Sequence, residues 1–191
     1  MRITGGAFRS RELRAPRGAR TRPTADRVRE ALFSILQSRV ELEGARVLDL
    51  YAGTGALGFE AMSRGAAHAV LVEKDRAALD ALRENRRALG LDDTTQVLTS
   101  SVEQCEVRGP FEVVFADPPY ADVRSGVAVR ALERVAARLA AAYEGAPEEE
   151  GAVRAIWVLE HDSKDKAPVI IGLTWSDTRV YGDTALSFFE F

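Results

Sequence analysis

Apolar and polar residues alternate along most of the chain in blocks that have the lengths of strands and helices. Short apolar runs predict strands over residues 46–50, 69–73, 96–98, 111–116 and 155–160, and two more within 169–191 around the turn at Gly182-Asp183. Longer segments with apolar residues three and four positions apart predict four helices. The first begins at Thr24, and the other three span residues 56–64, 75–89 and 127–143. This alternation predicts an open α/β sheet of seven strands, mostly parallel, with an antiparallel C-terminal hairpin.

The first 23 residues form a distinct, basic region. Residues 2–15 alternate loosely around Gly5-Gly6, which predicts a small N-terminal β-hairpin arm. Residues 1–30 carry nine arginines against three acidic residues, whereas the whole chain has a net charge of −3. We therefore divide the chain into a basic arm over residues 1–23 and a domain over residues 24–191. Because arginine makes bidentate contacts with phosphate, the arm predicts a polyanionic partner, with a solvated basic surface as the alternative.

The composition excludes several classes of protein. The chain is 46% hydrophobic and 29% charged, which is typical of a soluble globular domain and not of a disordered or collagen-like chain. No apolar run approaches the roughly 20 residues that span a bilayer, and no signal-peptide core is present. Cys105 is the single cysteine and there are two histidines, so we expect neither a disulfide nor a metal site. We expect a cytoplasmic protein that works without membrane or metal.

A glycine-rich turn follows the first predicted strand, at the edge where parallel sheets bind ligands. The turn Gly53-Thr54-Gly55-Ala56-Leu57-Gly58 matches G-x-G-x-x-G, whose glycines let a ligand approach the backbone. Glu73 ends the next strand, where a carboxylate can accept the ribose hydroxyls of a nucleotide. The turn alone also fits NAD, but the carboxylate of Asp49 would repel a pyrophosphate and suit an ammonium group. The pattern D-x-x-A-G-T-G therefore favours S-adenosylmethionine.

The sequence Asp117-Pro118-Pro119-Tyr120 closes the fourth predicted strand at the same edge of the sheet. Two consecutive prolines fix the backbone and remove two N–H donors, which leaves carbonyl oxygens to point outward. Asp117 and the Pro118 carbonyl then provide two acceptors for the two hydrogens of an exocyclic amine, and Tyr120 can stack on the base. Such an arrangement aims the nitrogen lone pair at a methyl sulfonium. The alternative is a strand that simply ends at two prolines.

Four basic or titratable side chains are predicted to face solvent or a ligand. Arg22, Arg27 and Arg29 lie before or off the apolar face of the first helix, which leaves them free to face a ligand. His161 follows a predicted strand and is expected at the surface or at the rim of the site.

The motifs together resemble the class I, Rossmann-like methyltransferases that modify exocyclic amines of bases with S-adenosylmethionine. More narrowly, the chain is similar to the bacterial RsmD family over nearly its whole length. The similarity rests on R-P-T-x-D-R-V-R-E at 22–30, the glycine turn, V-E-K-D at 72–75 and Y-G-D-T-A-L-S-F at 181–188. The resemblance implies methylation of N2 of one guanine in 16S ribosomal RNA, within a small-subunit ribosomal particle and with no dimer required.

The resemblance also implies roles for particular residues. S-adenosylmethionine would be bound by Asp49, Tyr51, Gly53, Thr54, Gly55, Glu73, Ser101, Val102 and Asp117. Catalysis would fall to Asp117, Pro118 and Tyr120, and RNA binding to Arg9, Arg11, Arg22, Thr24 and Arg27. Related enzymes often carry an acid for the adenine amine after the third strand, where this chain has no carboxylate and Ser101 would take that place.

Two other functions stay open at this stage. The D-P-P-Y turn also serves enzymes that methylate adenine N6 or cytosine N4, in DNA or in another RNA. The chain could also be a non-catalytic RNA-binding or assembly factor with a relic cofactor pocket. Intact Asp49, Gly53, Gly55, Glu73 and Asp117 argue against the relic.

Overall fold

The computed structural model describes residues 1–16, 23–143 and 155–191. Within these ranges the strands are β1 Arg46–Asp49, β2 His68–Glu73, β3 Thr95–Thr99, β4 Val113–Ala116, β5 Ile156–Asp162, β6 Thr174–Tyr181 and β7 Thr184–Glu190. The helices there are α1 Pro23–Leu36, α2 Ala56–Ser63, α3 Arg76–Leu89, α4 Tyr120–Arg124 and α5 Val127–Tyr143. None of these helices is long and apolar enough to cross a membrane.

The strands form one seven-stranded sheet in the order β3-β2-β1-β4-β5-β7-β6. β1 pairs in parallel with β2 and β4, and the parallel pairs β2–β3 and β4–β5 extend the sheet on both sides. β7 runs antiparallel between β5 and β6. The predicted architecture is therefore confirmed. Because β1, β2, β4 and β5 are parallel, their carboxyl ends meet at one edge, where open α/β sheets bind ligands.

Helices cover both faces of the sheet, which explains why the central strands read as unbroken apolar runs. On one face, Phe33 of α1 and Phe59 of α2 belong to the same buried cluster as Phe115 of β4. The rings of Phe33 and Phe115 lie 5.6 Å apart. On the other face, Leu132 and Leu139 of α5 are buried in a second cluster. Each such side chain contributes about 1.5–3 kcal/mol by burial, and together they fix the strand ends that carry the site.

Most element boundaries differ from the predictions by one or two residues, and two differences near the site have local reasons. β4 begins at Val113 and not at residue 111, because the Phe111 N–H donates to the Tyr143 hydroxyl at 2.9 Å and leaves the strand ladder. A short helix, α4, begins at Tyr120 directly after Pro119, where only a turn was predicted. The acidic linker predicted around residues 144–151 lies outside the described residues, as do residues 17–22 of the basic arm.

The first residues of the chain dock on the rest of the molecule. Arg2 and Glu12 form an antiparallel bridge, so the segment has the course of a hairpin with little strand pairing. The side chain of Ile3 is buried in the core cluster that contains α1 and α2. The Glu60 carboxylate of α2 accepts hydrogen bonds from the N–H groups of Thr4 and the following glycine, each at 2.8 Å. The segment is therefore an integral part of the structure as well as a basic one.

Two side chains lie elsewhere than predicted. Arg29 is buried, and its guanidinium lies 3.3 Å from the Glu60 carboxylate and 2.9 Å from that of Asp26. Arg29 is therefore not free as predicted, because two carboxylates hold its guanidinium, although the residue does line the cavity that contains Asp117 and Tyr120. His161 is also buried, with Nε2 2.8 Å from the Ser187 hydroxyl. Alternation along β5 directs it into the sheet face opposite to that of its neighbour at 160.

Candidate active site

Four acidic residues gather at the carboxyl edge of the sheet. Asp49 ends β1, Glu73 ends β2, Asp117 follows β4, and Glu160 lies near the end of β5. The parallel pairing of these strands brings their ends together, although the residues are far apart in the sequence. The predicted site residues Asp49, Glu73 and Asp117 therefore lie along one edge of the sheet, here called the crevice, where Glu73 and Asp117 line separate cavities and Asp49 is fully buried.

The Asp49 side chain is fully buried beneath the glycine turn. One oxygen, Oδ2, accepts the Gly58 N–H at 3.0 Å. The other, Oδ1, is buried without a hydrogen-bond partner among the described residues. Burial, with a smaller contribution from the charge of Glu73, raises the pKa of Asp49 to about 7. A buried acid with an unpaired oxygen is complementary to a positively charged group.

The glycine turn needs glycine for steric reasons. Gly55 has φ of 83°, in the left-handed region, and a Cβ atom there would lie 2.2 Å from the Phe59 ring. Gly53 also has a positive φ, 54°, with open space where its side chain would be. The turn is anchored by its neighbours, because the Thr54 carbonyl accepts the Asn85 amide at 3.0 Å. The backbone of this turn is thus fixed by packing at Gly55 and by a hydrogen bond at Thr54, and is partly exposed at Gly53.

Glu73 ties the glycine turn to the end of β2. Its Oε2 accepts the Gly53 N–H at 2.8 Å, and its Oε1 accepts the N–H groups of Lys74 and Asp75, each at 2.7 Å. Beside this carboxylate lies a small cavity of about 30 Å³ whose lining includes Tyr51, Glu73, Ser101 and Val102. Four residues predicted to bind one cofactor are therefore brought together. Glu103 also lines this cavity, and the sequence analysis did not select it.

The D-P-P-Y turn opens into a larger cavity of about 450 Å³. Pro118 is buried, whereas Asp117 is exposed to the cavity. The surrounding cavity wall desolvates the Asp117 carboxyl, and the charges of Glu160 and Asp49 add to this effect, so the pKa of Asp117 is raised well above its usual range. The Tyr120 hydroxyl lies 3.1 Å from the Thr184 hydroxyl and 3.3 Å from Glu160 Oε1.

The wall of this cavity includes residues that sequence reasoning missed. These are Met1, Val28, Leu32, Ala56, Leu57, Glu160, Asp183 and Thr184. Glu160 could have been found, because it ends a predicted strand at the same edge as Asp117. Asp183 stands in the turn between β6 and β7 and Thr184 begins β7, both within the stretch that carries the family resemblance. Their proximity to Tyr120 depends on the antiparallel pairing of β7 with β5, which no local pattern specifies.

The predicted RNA-binding residues divide into three groups. Arg9 and Arg27 are exposed and line one surface cavity of about 480 Å³, together with Arg2. Arg11 is exposed elsewhere and donates to the Ala88 carbonyl of α3 at 3.0 Å. Arg22 lies outside the described residues, and Thr24 stands in the first turn of α1. The residues are therefore not all on one surface.

No group of three or more His, Cys, Asp and Glu side chains within the described ranges could hold a metal ion. The acids of the crevice are spread over its length, next to a glycine turn and a proline turn. Their chemistry is that of hydrogen-bond acceptors for amines and hydroxyls.

The strand order and the glycine turn define the class of this protein as a class I methyltransferase fold. The family described as conserved hypothetical protein 95 matches residues 1–190, and the chain belongs to this family, the RsmD family. The solved structure of the Escherichia coli protein yhhF, provisionally named a methyltransferase, superposes with a TM-score of 0.76 at 30% identity. That comparison covers 100% of this chain and 97% of the other.

Two relatives by sequence extend the comparison. YlbH of Bacillus subtilis (strain 168), provisionally named an rRNA methyltransferase, is 31% identical over 196 residues, covering 100% of this chain and 98% of that protein. Ribosomal RNA small subunit methyltransferase D of Escherichia coli (strain K12) is 42% identical over 121 residues. That match covers 63% of this chain and 60% of the relative.

Proposed function

We propose that this protein transfers a methyl group from S-adenosylmethionine to the exocyclic N2 of a guanine in 16S ribosomal RNA. The observation that carries the proposal is that Asp117 and Tyr120 of the D-P-P-Y turn line one cavity beside the glycine turn, where the Pro118 carbonyl would supply the second acceptor. Membership of the RsmD family supports the ribosomal substrate, because a relative bears the name of a small-subunit rRNA methyltransferase. We propose a small-subunit particle as the partner and the cytoplasm as the location.

The residues at the edge of the sheet fit S-adenosylmethionine. The unpaired Oδ1 of Asp49 would accept the ammonium of the methionine end, and the backbone of Gly53 and Gly55 allows close approach. Glu73 would hold the ribose hydroxyls. Tyr51, Thr54, Ser101 and Val102 would complete the site, with Ser101 facing the adenine. When bound, S-adenosylmethionine supplies an electrophilic methyl group on its sulfonium.

The protein's own residues would position the amine and take its proton. Asp117 and the Pro118 carbonyl accept the two N–H groups, which turns the nitrogen lone pair towards the methyl group. Tyr120 lies flat against the base while Thr184 and Glu160 hold its hydroxyl. A carboxylate with a raised pKa is a better proton acceptor, so Asp117 receives the proton that the amine loses after transfer.

The basic surface would hold the RNA backbone. Arg9 and Arg27 share one exposed cavity and are free to contact successive phosphates. Arg11, on a separate part of the surface, would make a second contact with the RNA, and Arg22 and Thr24 are also proposed to bind it. Residues 1–23 would form the basic arm and residues 24–191 the catalytic domain. The docking of Ile3 and Thr4 on that domain keeps the arm close to the crevice.

The proposal is tested by methyl transfer from tritiated S-adenosylmethionine to small subunits from cells that lack the enzyme. The particles are digested to nucleosides and separated by chromatography, with heat-inactivated protein as the control. We expect label in N2-methylguanosine. Label in N6-methyladenosine or N4-methylcytidine would contradict the substrate. No label on particles or free rRNA, despite S-adenosylmethionine binding, would favour a non-catalytic factor.

A further inference from the structure

A second carboxylate faces the cavity into which the D-P-P-Y turn opens. Glu160 lines the same 450 Å³ cavity as Asp117, and its charge contributes to the raised pKa of Asp117. The Glu160 side chain is half-buried, and its Oε1 lies 3.3 Å from the Tyr120 hydroxyl. Glu160 is therefore held next to the residue proposed to stack on the base, beside the acceptors proposed to take its amine.

Two neighbouring carboxylates select for a ligand edge that carries several donors side by side. Burial raises the pKa of both Asp117 and Glu160, and in the free protein the charge of Glu160 raises the pKa of Asp117 further. A ligand with adjacent N–H groups would relieve that repulsion and stabilise the ionised forms. A base that has a lone pair next to its amine instead of a second N–H group would place that lone pair against the second carboxylate. Such a base would therefore bind poorly and be excluded from the site.

Among the bases with an exocyclic amine, guanine has such an edge. On one side of its N2 amine lies the ring N1–H, so two N–H groups point in the same direction there, while N3 on the other side accepts hydrogen bonds. The N6 amine of adenine and the N4 amine of cytosine lie next to a ring nitrogen that accepts hydrogen bonds. The turn at Asp117 and Pro118 can bind any of these amines, so the neighbouring ring position must decide between them.

We propose that Glu160 determines the base specificity of this site by accepting the N1–H of guanine while Asp117 and Pro118 hold the N2 amine. This inference rests on the proposed function, since it assigns the selectivity of the same site. Glu160 acts by direct contact with the base. The Tyr120 hydroxyl fixes the Glu160 carboxylate in the plane of the base that Tyr120 supports.

The test compares guanine with 2-aminopurine, which keeps the 2-amino group but carries a lone pair at N1. Small-subunit RNA is ligated with either base at the position that the wild-type enzyme labels, and is reconstituted with small-subunit proteins. Single-turnover rates are measured for wild type, Glu160→Gln and Glu160→Ala. Glu190→Gln serves as a matched control, because Glu190 ends β7 opposite Ile156, at the far end of the sheet from the crevice.

We expect wild type and Glu190→Gln to prefer guanine by at least about tenfold, the discrimination of one good base contact. Glu160→Gln offers both a donor and an acceptor, so the preference should fall by about tenfold, mainly through a slower reaction with guanine. Glu160→Ala should behave in the same way. S-adenosylmethionine affinity of each variant, measured by calorimetry, should match wild type within about twofold.

Two results would overturn the inference and leave the proposed function intact. One is an unchanged preference for guanine in both Glu160 variants. The other is an equal loss of the two rates, including complete loss, which would assign Glu160 to folding or to positioning of Tyr120. If wild type itself does not methylate guanine N2, the proposed function fails instead.

Discussion

The two sides of the crevice hold their acids in opposite ways. On the cofactor side, formed by the ends of β1 and β2, backbone N–H groups within a few residues of the glycine turn bind Asp49 and Glu73. The acceptor side is formed by the ends of β4 and β5. Among the described residues no N–H group donates a hydrogen bond to the Asp117 side chain, and Glu160 accepts one from the Tyr120 hydroxyl. The acids of the cofactor side are thus already held by the backbone when no ligand is bound. The second side retains acceptors that a substrate must satisfy.

This contrast explains why the two sides depend on different parts of the chain. The cofactor side is local, since a strand, a turn and a helix provide most of its hydrogen bonds. The acceptor side is assembled from α1, the D-P-P-Y turn, β5 and the turn between β6 and β7. Its shape therefore depends on long-range packing, including the docking of the first residues on α2.

The largest effect should come from breaking that docking. Glu60 is fully buried, pairs with Arg29 and Arg64, and accepts the N–H groups of Thr4 and Gly5. Glu60→Ala removes one of the two carboxylates that pair with the buried Arg29, together with the acceptor of two backbone N–H groups, and we expect a loss of about 3–5 kcal/mol in the free energy of unfolding. Urea denaturation measures this. Glu84→Ala, which removes an exposed ion pair with Arg14, should cost well under 1 kcal/mol. Equal losses would contradict the role of docking.

The glycine turn can be disturbed at a matched pair of positions. Gly55 and Gly44 have similar positive φ values, 83° and 78°, but a Cβ at Gly55 would strike the Phe59 ring whereas the space at Gly44 is open. Gly44→Ala should cost about 1 kcal/mol of backbone strain. Gly55→Ala should cost at least about 1 kcal/mol more and weaken S-adenosylmethionine binding by tenfold or more. Thermal unfolding and calorimetry check both. Normal affinity in Gly55→Ala would exclude a close approach of the ligand to this turn.

Binding of rRNA should depend on the salt concentration, whereas binding of S-adenosylmethionine should not. The double substitution Arg9→Ala, Arg27→Ala removes two exposed guanidinium groups from one cavity. We expect weaker binding to rRNA and a log–log salt dependence that is shallower by about one unit per arginine. Arg108→Ala, just before β4 at the opposite edge of the sheet, is the control. An unchanged slope would remove Arg9 and Arg27 from the RNA interface, and altered S-adenosylmethionine affinity would indicate a structural role.

The smallest effect concerns protonation of Asp49. Burial raises the pKa of Asp49 to about 7, so Asp49 is protonated in the free protein below pH 7. Between the ordinary pKa of an aspartate and pH 7, ionisation of this group therefore favours the unfolded chain and lowers the free energy of unfolding. A bound ammonium favours the ionised form. S-adenosylmethionine should therefore bind more tightly as pH rises towards 7, by up to about tenfold per pH unit, and then level off. Calorimetry in two buffers should detect a released proton near pH 6. The same pH dependence in Asp49→Asn would rule out this explanation.

The sequence predicted the positions of β1, the glycine turn and β2 well because their signals are local. Buried strands, the glycine turn and the acid that ends β2 follow from apolar runs, turn chemistry and the edge rule for parallel sheets. The sequence did not predict that Arg29 is buried against Glu60, because that contact depends on how α1 crosses α2. It also missed Glu160 and Thr184, whose place beside Tyr120 follows from the register of β5 with β7. Non-local register has no signature in a short window of sequence.

The most direct test of the separation between the two sides measures cofactor affinity and methyl transfer in the same variants. Asp117→Ala should lower the single-turnover rate at saturating S-adenosylmethionine by about 10²-fold or more, since the amine loses its positioning acceptor, while affinity changes less than about threefold. Glu73→Ala should weaken the affinity for S-adenosylmethionine by about tenfold but should retain most of the wild-type rate at saturating S-adenosylmethionine. Loss of affinity and rate together in Asp117→Ala, with the protein folded, would contradict the account.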